Sequence, residues 1–194
     1  MAIGEYQTAS QLPASEIIAD IGRHALAHGQ QLGELTDMQK LVLYHGSFGL
    51  RADDVVEAIR AGGEDVAGKR EVEETRDELI EKFTVPHKIA NFASAVSQAI
   101  EVDYLPIDVK DDPEVVGSLN ERDLFIIGSF RDGKSSSQVK MALVRFFPVY
   151  KRAYKKDAKK YLAEVFDKTQ SSGRTHLVRV SYEYDLDVPP IPKY

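Results

Sequence analysis

Apolar residues recur with two different periods along this chain, and the change of period divides it. Up to about residue 103 the spacing is helical. Ile17, Ile18, Ile21, Ala25 and Leu26 form a stripe behind Pro13, which a first helical turn tolerates, and Gly29 is placed to close that helix. Thr36 and Gln39 make a capping-box pattern ahead of Leu41, Val42, Leu43 and Tyr44. Asp53 is placed to cap a short helix carrying Val55, Val56 and Ile59, which stops at Gly62 and Gly63. A charged helix over 64–83 offers few apolar positions: Val66, Val72, Leu79, Ile80 and Phe83. Pro86 then opens the most regular stripe, Ile89, Phe92, Ala93, Val96, Ala99 and Ile100, which predicts a core helix.

Beyond residue 101 the pattern shifts towards strands. VDYLPIDV (102–109) reads as extended, with Pro106 suited to an edge. The apolar run DLFIIGSF (123–130) reads as a buried strand. Helical spacing returns behind a second capping-box pattern, Ser135 with Gln138, through Val139, Ala142, Leu143 and Phe146. Pro148 interrupts it, and another helix is expected over about 149–168. At the end Val178, Val180, Tyr182, Tyr184, Leu186 and Val188 alternate with Arg179, Ser181, Glu183, Asp185 and Asp187. That period of two predicts a long half-exposed strand, and PPIPKY follows as an extended tail. The expected fold is therefore α+β and helix-dominated. A helical N-terminal body over about 13–103 carries a small sheet built by the C-terminal half. Residues 1–174 form the body and 175–194 a strand-and-proline arm.

Composition narrows the chemistry. With 194 residues, 43% of them apolar, the chain can bury a substantial core. It has no cysteine, which removes disulfides, thiolate metal sites and cysteine nucleophiles. The N-terminal stretch MAIGEYQTAS has no signal-peptide pattern, and no apolar run reaches the length of a membrane span. A location in the cytoplasm or within an assembled particle is expected.

The net charge of −6 is unevenly spread. Residues 134–168 hold ten basic and three acidic side chains, net +7, and the rest of the chain is net −13. Most of the excess lies on one helix. Lys151, Lys155 and Lys159 form one i, i+4 row, and Arg152, Lys156 and Lys160 form the next. Tyr150, Tyr154, Ala158, Tyr161 and Val165 take the opposite face. Like charges one turn apart repel, so a wall of six cations suggests a polyanion such as nucleic acid, or an acidic face on a neighbouring subunit. EVEETRDELIE (71–81), with six acidic residues against one arginine, offers such a face.

One motif points to enzymology. GSFRDGKS (128–135) fits the phosphate-loop pattern, with Gly128 and Gly133 shaping the turn, Lys134 reaching β/γ-phosphates and Ser135 holding Mg²⁺. This reading makes the chain a small ATP- or GTP-binding protein of the NTPase or kinase kind. Only 59 residues follow Ser135, too few for the βα units such a sheet needs. A turn at Asp132-Gly133 followed by a helix capped by Ser135 explains the same letters.

The remaining constellations are weaker. His24 and His28 stand at i, i+4, a metal-compatible spacing, but neither a cysteine nor an H-E-x-x-H pattern accompanies them, and no metal site is assigned. No G-x-S-x-G elbow occurs. His45 falls at a helix end, where capping or packing explains it.

The functional expectation is a non-enzymatic, self-associating structural protein without a cofactor. In general build it matches a virion or phage-particle component, with the basic face at 151–160 towards nucleic acid or a subunit. Val178, Val180, Tyr182, Tyr184, Leu186 and Val188 would form the oligomer arm by adding a strand to a neighbour. Removal of 175–194 would then leave a folded body unable to assemble.

Overall fold

A computed structural model describes residues 12–29, 35–86, 88–147 and 154–189, with side chains throughout except at 154–158. Ten helices occur among the described residues: α1 (Ala14–Ala27), α2 (Asp37–Ser47), α3 (Ala52–Ala61), α4 (Lys69–Phe83), α5 (Phe92–Glu101), α6 (Pro113–Ser118), α7 (Glu121–Arg131), α8 (Ser136–Phe146), α9 (Tyr154–Lys168) and α10 (Arg174–Glu183). No strand is present among the described residues, so the α+β expectation is overturned and the fold is all-α.

Local chemistry sets most helix starts. Thr36 and Ser135 each accept from the backbone N–H of the glutamine three residues on, and that glutamine answers the cap's own N–H. Asn91 caps α5 by accepting from Ala93 and Ser94, so this helix begins at Phe92, six residues beyond Pro86. Asp54, not Asp53, completes the start of α3 by accepting from the Arg51 amide. Asn120 caps α7 and Asp112 caps α6.

Two apolar clusters make the core. The first joins α1–α5 through residues such as Ile21, Leu43, Ile59, Leu79 and Val96, with Tyr104 and Leu105 completing it. The second joins α7–α10 through Phe125, Ile127, Phe130, Leu143, Val165 and Leu177. Tyr182 packs against both, which places α10 where the clusters meet.

All three expected strands are corrected. DLFIIGSF lies in α7, whose residues 125–130 are all buried; a short apolar run without flanking periodicity does not distinguish a buried helix from a buried strand. The segment 102–109 is a tight turn followed by irregular backbone, with no ladder partner. The C-terminal alternation misled for a different reason. Val178, Val180 and Leu186 are core residues, but Arg179, Ser181 and Glu183 are buried as well. Helix α10 is enclosed by α2, α5 and α7, and its polar positions are paired inside rather than solvated. The stretch expected as an outer arm is thus a central element up to Leu186. Tyr182 and Tyr184 are half-buried, Val188 packs against the second cluster, and 190–194 lie outside the described residues.

Candidate functional site

Helix α10 carries a buried polar spine. Arg179 donates from Nε to Glu183 Oε1 at 2.6 Å and from Nη1 to Ser47 Oγ at 2.9 Å, with its guanidinium 4.2 Å from the Phe48 ring centre. Lys110 Nζ lies 3.1 Å from the other Glu183 oxygen. Burial pushes the Glu183 carboxyl up, but Arg179 and Lys110 outweigh it and hold the group below the usual carboxylate range. On the neighbouring side Tyr182 donates to Glu101 at 2.5 Å, and Lys88 pairs with Glu101 at 2.7 Å. Arg131 stacks on the Tyr182 ring at 3.9 Å and donates to the hydroxyl and carbonyl of Ser181. Burial raises the Tyr182 hydroxyl well above the ordinary tyrosine value, so it stays a neutral donor.

A cavity of about 250 Å³ opens over Arg179 and Tyr44, with Glu16, Asp20 and Asp108 as acidic lining and Arg23 beside them. Its chemistry is mixed, and the one deeply buried cation in it is already matched by Glu183.

The GSFRDGKS segment is a helix, a turn and a helix. Gly128 is a buried interior residue of α7. The amides of Asp132, Gly133 and Lys134 donate to the carbonyls of Gly128, Phe130 and Ser129, and that of Ser135 donates to Gln138. Every amide from 132 to 135 is thus spent within the chain, whereas a phosphate cradle needs them aimed at the ligand. Lys134 pairs with Asp132 at 3.2 Å, and Ser135 is the cap of α8. Gly133 has a second task. Its φ is +80°, and a Cβ there would stand 2.2 Å from the Ile89 carbonyl oxygen. Ile89 N also donates to Asp132 O at 3.0 Å, so this turn docks on the 89–91 segment.

That docking leaves a groove of about 380 Å³ lined by Ile89, Met141 and Ala142, with Lys134, Gln138 and Arg145 around it. Met141 is 57% exposed and Ile89 41%, large values for apolar side chains.

Of the six expected basic-face residues, Lys151 and Arg152 lie outside the described residues, and Lys155 and Lys156 are in α9 with undescribed side chains. Lys159 and Lys160 are exposed, and Lys160 is 3.6 Å from Glu164. The opposite side of α9 packs through Leu162 and Val165. It is tied to α7 by Asp123, which is fully buried between Arg122 and Lys168. Sequence reasoning passed over Asp123, Glu101 and Arg131. The alternation puts Arg179 and Glu183 on the polar side of a half-exposed strand, although their i, i+4 spacing is also a helical ion-pair signal.

No described helix is long and apolar enough to cross a membrane. No family model, curated protein or solved structure matches this chain.

Proposed function

We propose that this chain is a non-enzymatic, self-associating helical protein whose copies join head to tail through the groove beside α8. The observation that carries this reading is that the chain exposes two apolar surfaces bordered by opposite charge. The groove exposes Ile89 and Met141 beside Lys134 and Arg145. The segment 108–118 exposes Val109 and Val116 among Asp108, Asp111, Asp112 and Glu114, with Lys110 as its one cation. The segment of one copy supplies both the apolar and the acidic chemistry that the groove of the next copy would accept. Because the two surfaces differ, the contact is heterologous and either closes a ring or extends a filament, as subunits of an assembled particle do. Both patches are small, which predicts a weak, concentration-dependent association.

Light scattering across a concentration series tests the reading. The native chain should rise above its 21.7 kDa monomer mass. Met141→Asp and Val109→Asp should each reduce assembly to the monomer. Mixed together, the two variants should form a heterodimer, since one keeps an intact groove and the other an intact segment. A native monomer at all concentrations, or an unchanged Met141→Asp assembly, overturns it.

A second reading rests on α9, whose exposed Lys159 and Lys160 would meet a nucleic-acid backbone. Lys159→Glu with Lys160→Glu should then lower the salt needed to release the protein from DNA. Release at the same salt removes the nucleic-acid role.

A further inference from the structure

We infer that His24, His28 and Asp103 form a binding site for a divalent transition metal, with zinc as the fitting ion. The pair of histidines alone is only a spacing on α1. The fold adds the third group. Asp103 follows α5 and is 75 positions beyond His28, yet one donor atom from each of the three side chains lies within 4.8 Å of the others. Around a tetrahedral metal with bonds of roughly 2.1 Å, neighbouring donors sit about 3.4 Å apart, so small side-chain rotations close the set.

Details at each residue favour ligation. The His28 ring nitrogen Nδ1 lies 2.9 Å from the His24 carbonyl oxygen, which can only accept. The proton is therefore on Nδ1, leaving Nε2 of His28 with the lone pair a metal needs. The two imidazoles are neighbours, with ring planes tilted by 47° and centroids 4.5 Å apart. Asp103 holds a left-handed φ of +53° in a turn closed by bonds from Asp103 N to Ile100 O and from Tyr104 N to Ala99 O. That turn is anchored by Tyr104 and Leu105, both core residues, so the carboxylate is presented from a rigid base.

The donor set of two nitrogens and one oxygen, in a chain without cysteine, suits zinc, cobalt, nickel or copper rather than magnesium or calcium. His24 and Asp103 are half-buried and His28 is exposed, so water has access to complete the coordination. The metal would bridge the last turn of α1 to the end of α5, two elements of the first apolar cluster. Because it binds the folded chain and not the unfolded one, it would raise the melting temperature as its concentration rises. This inference is independent of self-association, since it uses different residues.

The test is isothermal titration of the full, tag-free chain with zinc chloride, together with cobalt absorption and melting curves with and without chelator. One zinc per chain is expected, with a tetrahedral cobalt spectrum and a melting temperature that falls on chelation. Asp103→Asn suits the left-handed turn and should keep the fold while weakening zinc by about tenfold or more. His28→Gln should do the same, and both variants should melt like the native chain in chelator. Absence of zinc binding to the native chain overturns the assignment. So does an Asp103→Asn variant that binds zinc as tightly as the native protein.

Discussion

Arg179 Nε lies 2.6 Å from Glu183 Oε1, one turn apart on a helix where both residues are buried. A strand would have turned these side chains to water, and the helix turns them inward against Ser47 and Lys110. Arg179→Met should destabilise the protein by about 3–5 kcal/mol, because it leaves Glu183 buried against Lys110 alone. Arg179→Met with Glu183→Leu should lose markedly less. Urea unfolding of the two single variants and the double variant measures the coupling. Strictly additive losses would show that the two residues do not act as a pair.

Ending the chain after residue 173 should abolish cooperative folding rather than release an intact body. The deletion removes Leu177, Val178, Val180 and Leu186 from the core, and each buried side chain of this size stabilises by about 1.5–3 kcal/mol. Far-ultraviolet circular dichroism and a thermal melt check this. A truncated protein with native helicity and a sharp transition would restore the arm.

Gly133→Ala should destabilise by more than about 1 kcal/mol, since a left-handed backbone and the nearby Ile89 carbonyl both oppose a Cβ. Lys134→Ala should change stability by less than about 1 kcal/mol, the usual range for a partly exposed ion pair. It should also leave ATP and GTP titrations unaltered. A nucleotide signal that disappears with Lys134 would favour the phosphate-loop reading over the structural one.

His45 predicts acid sensitivity. Burial pushes its imidazole down from 6.5 to about 4. The folded state therefore holds fewer protons than the unfolded state between those values. Its contribution is fully present above about pH 6.5 and is lost as pH falls towards 4, at up to about 1.4 kcal/mol per unit. Glu101 and Glu183, held below the usual carboxylate range, lose their contributions only in more acidic solution. Unfolding of His45→Gln between pH 6.5 and 4.5 should show a shallower slope than the native chain. Equal slopes would mean that His45 takes up its proton without unfolding.

Much of the local structure was legible in the sequence because its causes are local. Capping boxes at Thr36 and Ser135 depend on residues three apart, and both appear as read. The stripe from Phe92 to Ile100 needed only one face to be apolar, and it forms α5. The candidate sites were less legible. His24 and His28 are visible as a pair, but nothing in the letters around Asp103 links it to them. Ile89 and Met141 look like ordinary helix positions until the Gly133 turn docks and leaves a groove between them.

The sequence by itself determined the helical first half, the starts of the helices behind Thr36 and Ser135, and the absence of thiol chemistry. The helix at 174–183 was decided by the tertiary structure. Alternating polar and apolar residues mean a two-faced strand only when one face meets water. Here α2, α5 and α7 enclose the segment, and Ser47, Lys110 and Arg131 supply partners for Arg179, Glu183 and Ser181. Those partners come from distant parts of the chain, so only the assembled core could satisfy the polar groups and let the segment close into a buried helix.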